Sequence, residues 1–196
     1  LHASKIDDVA TARHAIAEGK LDLVGMTRAH IADPHIVRKL IEHREAEIRP
    51  CVGATYCLDR IYEAGEALCL HNAATSREAT MPHIVPVAAR RRRVVVIGGG
   101  PGGLEAARVA GERGHSVVLL EAMPWTGGQV RLAARNPRRR DLLGMIEWRD
   151  AELARLGVEV RCNTFAEIDD VVAIAAEHHA DDVLADVVDV ALDRGH

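Results

Sequence analysis

Ile6, Val9, Ala12, Ile16 and Ala17 recur at helical spacing, so residues 5–20 predict a helix. Asp7 and Asp8 suit its first turn and Gly19 its end. Leu21 to Met26 predict a short buried strand, with Thr27 and Arg28 at its C-terminal end. Asp33-Pro34 then predicts a helix start, with Asp33 as N-cap and Pro34 at the first helical position, over the apolar face of Ile36, Val37, Leu40 and Ile41. No period holds from 49 to 78, and residues 79–93, with Pro82, Pro86 and an arginine run, read as a linker. From Val94 the pattern changes. Val94 to Ile97 is a buried strand, a glycine loop follows, Leu104 to Arg113 continues as a helix, and Ser116 to Leu120 is a second strand ending at Glu121. Leu142, Leu143, Ile146, Leu153 and Leu156 predict an amphipathic helix over 141–156, before a third strand at Val158–Val160. After Asp169, Ala and Val alternate with Asp, which predicts one or two Ala-rich helices. No solenoid period recurs, and the class is α/β.

The 196 residues suffice for one ordinary domain or two small ones. Aromatics are 3%, so the core must be built from Val, Ile, Leu and Ala. No apolar run approaches the roughly 18 residues of a membrane span, and no basic-then-apolar secretory pattern opens the chain. A cytoplasmic location is expected. The chain opens on Leu1, in mid-element and without an initiator Met, so a fragment or processed chain is expected. Net charge is −4 and unevenly spread: residues 162–196 hold nine Asp or Glu against the single Arg194. The runs Arg90–Arg93 and Arg138–Arg140 read as solvated linker and loop. Without interleaved aromatics they do not form a nucleic-acid surface.

Gly98, Gly100 and Gly103 fit G-x-G-x-x-G with a strand before, a helix after and an acidic residue, Glu121, at the end of the next strand. Gly98 allows the tight turn, Gly100 the approach of a pyrophosphate, and Gly103 close packing of helix on strand. Pro101 and Gly102 complete a loop whose helix N-terminus offers unpaired N–H groups to phosphates. Glu121 is placed to accept from an adenosine ribose. Gly127-Gly128-Gln129 after the second strand looks like the two-dinucleotide-binding flavoproteins, which favours FAD, or its ADP part, over NAD.

Cys51, Cys57 and Cys69 cluster, whereas Cys162 is remote. Without a secretory signal, such clustering points to metal before disulfides. The spacing C-x5-C-x11-C lacks the C-x2-C pair usual for zinc, and suits an iron–sulfur loop better. Leu23-Val24-Gly25-Met26-Thr27-Arg28, Ala32-Asp33-Pro34, Ile48-Arg49-Pro50-Cys51-Val52-Gly53, and then Cys69 and Asn72, resemble the trimethylamine dehydrogenase / 2,4-dienoyl-CoA reductase family in the family's order, over about residues 1–165. The resemblance implies an FMN-binding β/α barrel, then a [4Fe–4S] loop, then a nucleotide-binding domain. Cys51, Cys57 and Cys69 match the first, third and fourth cluster ligands, and Ala54 stands where the second should. A three-thiolate site admits a [3Fe–4S] cluster, a [4Fe–4S] cluster with another ligand, or none. Tyr56 and His71 are nearby oxygen and nitrogen candidates that read as structural.

The resemblance divides the chain into the C-terminal end of a TIM barrel (1–48), a cysteine-rich iron–sulfur-type loop (49–78), a linker (79–93), a partial Rossmann-like FAD/NAD(P)-binding domain (94–170) and an unaligned acidic tail (171–196). Gly25, Thr27 and Arg28 would then sit at the end of barrel strand eight, where barrel phosphate sites form. Arg28 would pair with the FMN phosphate, with main-chain N–H groups around Ala3 and Ser4 beside it. No catalytic acid or base is assigned, and His14, His30, His35 and His43 read as surface residues. The wording around Cys51–Tyr62 looks most like the branch that demethylates dimethylglycine or N-methylproline. The implied chemistry is oxidative demethylation of a small-molecule amine, electrons passing from FMN through an iron–sulfur centre to the second nucleotide site or a partner protein. An oligomer is compatible with it. The alternatives are NAD(P)H-dependent reduction of an enoate or 2,4-dienoyl-CoA, and a non-catalytic nucleotide-binding remnant.

Overall fold

The chain divides into two units, Leu1–His83 and Ile84–His196, in a computed structural model that describes residues 1–3, 6–176 and 187–189. The expected linker is shared between them. His83 lies 3.3 Å from Glu78 within the first, whereas Ala88 donates its N–H to Arg113 O (2.9 Å) within the second.

In the first unit, helix α1 spans Val9–Ala17, shorter than expected. Its start is set by Asp8, whose carboxylate accepts the Thr11 N–H (2.7 Å). Residues 21–26 do not form the expected strand. Among the described residues only Val24 pairs, in one parallel bridge to His2, while Gly25 donates to His2 O (2.8 Å). Helices α2, Thr27–Ala32, and α3, Ile36–Ile41, follow. Asp33 is not the N-cap of α3, because His35 occupies that position. Instead the buried Asp33 carboxylate gathers three partners: the His35 N–H (3.0 Å), the Lys39 ammonium (2.6 Å) and the Arg49 N–H (2.9 Å). Burial pushes its carboxyl up, but these partners outweigh burial and leave it below the usual carboxylate range. A short helix α4, Tyr56–Tyr62, crosses the stretch where no period was found. Its Leu58, Ile61 and Tyr62 are exposed. Of the histidines read as surface, His14, His30 and His43 are exposed. His35 is half-buried, its ring edge-on to His83, and burial with nearby Arg38 pushes its pKa down.

The second unit is built on parallel strands β1 (Arg93–Ile97), β2 (Ser116–Leu120), β3 (Glu159–Arg161) and β4 (Val187–Asp189) in the order β3-β2-β1-β4. Val96 pairs with Leu119. Successive side chains alternate faces, and both faces are covered, which is why β1 and β2 read as unbroken apolar runs. One face packs Val94, Val96 and Leu119 with Leu104, Ile146 and Leu153. The other packs Val95, Val118 and Leu120 with Val171 and Ile174. The covering helices are α5 (Pro101–Glu112), the short α6 (Gln129–Ala133), α7 (Gly144–Arg155) and α8 (Ile168–Ala176). The helix expected over 141–156 is two elements, because Pro137 opens a 3-10 helix to Leu143 before α7 begins. Part of the stretch read as an acidic helical tail is strand β4, which pairs with β1 in parallel. The other tail residues from 177 on lie outside the described residues, as does Ser4.

Candidate functional site

In the first unit, Cys51, Cys57 and Cys69 line one pocket together with Ala54, Arg28 and His71. Cys57 comes from α4, the other two from the segments flanking it. The segment after Cys69 is tied down by Asn72 and Thr75, both buried, which donate to Ile31 O of α2 at 3.0 and 3.1 Å. Two of the sulfurs receive main-chain N–H groups from two residues downstream: Gly53 to Cys51 and His71 to Cys69 (3.4 Å). The Gly53 bond favours the Cys51 thiolate. Burial nevertheless pushes the Cys51 thiol up, with the Gly53 N–H and the Arg28 guanidinium pulling it back only partly. His71 is buried, its Nδ1 2.9 Å from Pro50 O.

Among the described residues no three His, Cys, Asp or Glu side chains converge as a single metal ion requires. The three thiols share a pocket without meeting at a point. That donor set fits a polynuclear cluster, whose ligands attach to separate irons, and does not fit zinc. Ala54 contributes a methyl group and no donor. Gly25 sits on the His2–Ala3 segment so closely that an added Cβ would lie 2.8 Å from Ala3 Cβ. Thr27 and Arg28 open α2. The placement of Arg28 on the cysteine pocket was not visible from spacing.

In the second unit the glycine loop joins β1 to α5. Gly98 has φ +93°, so it turns where other residues are strained. A Cβ at Gly103 would lie 1.9 Å from Gly98 O, whereas one at Gly100 would meet open space. Helix α5 has Gly100 as N-cap, no capping side chain, and Pro101 and Gly102 in its first turn. Its leading N–H groups and dipole are available to a phosphate. Glu121, at the end of β2, is buried. Its carboxylate accepts the Gly99 N–H (2.6 Å) and the Met123 N–H (2.7 Å), so it braces the loop from below. Each oxygen keeps a lone pair for a further donor. Gly128 lies against Gly100, its ideal Cβ 3.5 Å from Gly100 Cα. Gly127 donates to Gly99 O (2.6 Å), and Gln129 is exposed at the start of α6. Sequence reasoning missed the clamp on this second loop: Thr126 donates its hydroxyl to Asp150 of α7 (2.8 Å), and the Arg131 guanidinium donates to Thr126 O. Nothing in the spacing of Thr126 and Asp150 signals it.

Residues 93–144 match the family model of FAD dependent oxidoreductases. The chain is 64% identical over 176 residues to the probable N-methylproline demethylase of Rhizobium meliloti (strain 1021), covering 90% of this chain and 26% of that protein. It is 52% identical over 183 residues to the multifunctional alkene reductase/demethylase OYE of Caballeronia cordobensis, covering 93% and 26%. The solved structure of 2-naphthoyl-CoA reductase in complex with 2-naphthoyl-CoA superposes at a TM-score of 0.82 with 32% identity, over 88% of this chain and 26% of that one. This chain thus spans about a quarter of the curated relatives it matches. With a cysteine pocket and a dinucleotide-type glycine loop in the family's order, it belongs to the trimethylamine dehydrogenase / 2,4-dienoyl-CoA reductase family.

Proposed function

We propose that the protein carrying this chain is a flavin-dependent oxidoreductase that oxidatively demethylates a small N-methyl amine or amino acid. The observation that carries the reading is the 64% identity to a probable N-methylproline demethylase across the cysteine pocket and the glycine loop together. In this reading Gly98, Gly100, Pro101, Gly102 and Gly103 hold the pyrophosphate of FAD or ADP on the N-terminus of α5. Glu121 accepts from the ribose while bracing Gly99, and Gly128 and Gln129 flank the nucleotide. Cys51, Cys57 and Cys69 hold an iron–sulfur cluster. Gly25, Thr27 and Arg28 contact FMN at the end of a β/α barrel. The parallel His2–Val24 bridge and the close seating of Gly25 on Ala3 support that barrel end. A bound flavin would supply two-electron oxidation, so that loss of a hydride equivalent from an N-methyl group and addition of water would give formaldehyde and the demethylated amine. The residues of this chain bind and orient cofactors, and Arg28, a permanent cation on the thiol pocket, offsets the negative charge of a phosphate or cluster there. Four free cysteines support a reducing, cytoplasmic setting. Among the described residues no helix is long and apolar enough to cross a membrane.

A second reading is favoured by one relative's being an alkene reductase as well as a demethylase: NAD(P)H-dependent reduction of an enoate or dienoyl thioester. Turnover by the full-length protein separates the two. N-methylproline or dimethylglycine with an artificial electron acceptor should release one formaldehyde per two electrons. NADPH oxidation that depends on an enoate, with no formaldehyde from either amine, replaces the first reading by the second. Neither activity leaves a nucleotide-binding remnant.

A further inference from the structure

We propose that Arg28 is the charge that sets the reduction potential of the cluster in the cysteine pocket, holding it higher than the thiolates alone would; the inference rests on the iron–sulfur reading above and deepens it. Arg28 and Ile31 stand one turn apart on a single face of α2, and both line the pocket with Cys51, Cys57 and Cys69. Helix α2 is tied to the segments that carry two of these cysteines. Its Ile31 carbonyl accepts from the Asn72 and Thr75 side chains, just after Cys69 (3.0 and 3.1 Å). The Asp33 carboxylate, at the C-cap of α2, accepts the Arg49 N–H just before Cys51 (2.9 Å). Ala29 and Ala32 of the same helix are buried. The ties that shape the pocket therefore also carry the half-buried Arg28 to its wall. Among the described residues that line it, no Asp, Glu or Lys stands beside Arg28. Beyond burial and the Gly53 N–H, Cys51 feels the Arg28 guanidinium, which favours thiolate, and the Asp7 carboxylate and Cys69, which oppose it.

A thiolate-held cluster gains one negative charge when it takes up one electron, whatever its iron count. A fixed cation beside it stabilises the reduced form more than the oxidised one, and so raises the potential. Arginine suits this place because it stays protonated at any working pH. Partial burial also leaves the interaction less screened than at the open surface. A raised potential makes the cluster a better acceptor, which suits electrons drawn from an amine through flavin. The contact proposed between Arg28 and the FMN phosphate is a separate use of the same side chain, and the two are separable by measurement.

The test uses the full-length protein, reconstituted anaerobically with ferrous iron and sulfide and freed of excess. Iron, sulfide and FMN per chain are counted, and the midpoint potential of the cluster is read by low-temperature EPR during a mediated dithionite titration. Arg28→Gln should keep its iron and sulfide and titrate at a lower potential. Arg28→Lys, which keeps the charge, should stay close to the unaltered protein. Asp7→Asn removes the opposing charge and should titrate at a higher potential. Unaltered protein freed of FMN is the reference for any variant that has lost it. The opposite signs decide the matter, because a pocket that is merely loosened would move Arg28→Gln and Asp7→Asn the same way. An Arg28→Gln cluster at the unaltered potential overturns the inference and leaves Arg28 to the phosphate alone, with the cluster reading standing. If Arg28→Gln takes up no cluster, Asp7→Asn decides: a potential that falls or stays where it was overturns the inference. If the unaltered protein takes up no iron and sulfide, the cluster reading itself falls and the inference with it.

Discussion

Gly103 and Gly100 look alike in the motif but do different work. A methyl at Gly103 would meet the Gly98 carbonyl oxygen at 1.9 Å, backbone against backbone, and neither can yield without parting α5 from β1. Gly100 has ordinary dihedrals and open space around it. Gly103→Ala should therefore lower stability by about 2–3 kcal/mol, seen as a Tm several degrees lower. Gly100→Ala should leave Tm unchanged and weaken ADP binding in calorimetric titration, since the added methyl occupies the ligand's approach. Equal effects of both substitutions on Tm would contradict this division of labour. The glycines and cysteines were legible in the sequence because each residue type is chosen for one property, a missing Cβ or a thiol, at a fixed spacing. The bracing of Gly99 by Glu121 was not, because a carboxylate at the end of a strand is equally suited to ribose and to main chain.

Helix α7 holds two parts of the proposed nucleotide site. Through Arg149, which is buried and pairs with Glu105 at 2.9 Å, it fixes α5. Through Asp150, which accepts the Thr126 hydroxyl, it fixes the loop that carries Gly127 and Gly128. Burial pushes the Asp150 carboxyl above its usual 3.8, the Thr126 bond and Arg131 opposing without cancelling it. A carboxyl raised in the folded state penalises folding where it is ionised, and the penalty is relieved as pH falls through the folded pKa and is gone below 3.8. Asp150→Asn keeps an oxygen for Thr126 and removes the charge. It should raise Tm at pH 7 by about 2–4 °C, equivalent to no more than ~1 kcal/mol, and the gain should shrink as pH is lowered toward 3.8. A gain that grows on acidification would contradict the burial account. Strands β1 and β2, which feed consecutive residues into the core, were legible from their apolar runs, and α5 from the glycine loop that leads into it. Helix α4 was not, because its 7 residues make only about two turns, too few for a period to stand out. The division of 137–155 was hidden because the apolar positions run on across the junction between the 3-10 turn and α7. Strand β4 was hidden because it reads Val-Val-Asp amid an Ala/Asp pattern that suits a helix as well.

The chain as a whole carries a thiol pocket on Leu1–His83 and a glycine loop on Ile84–His196, the two proposed cofactor sites. Single-sequence reading reached both, because each is a contiguous motif. The clamp from α7, the Asp33 hub and the place of Arg28 on the thiol pocket depend on residues far apart in sequence. The central claim is that these sites serve oxidation of an N-methyl amine. It is tested most directly by mixing the full-length protein anaerobically with N-methylproline, without any acceptor, and following flavin absorbance near 450 nm alongside formaldehyde. The account predicts bleaching of the flavin with formaldehyde in proportion to the electrons taken up. Flavin that stays oxidised with the amine yet bleaches with NADPH, and yields no formaldehyde, would contradict it.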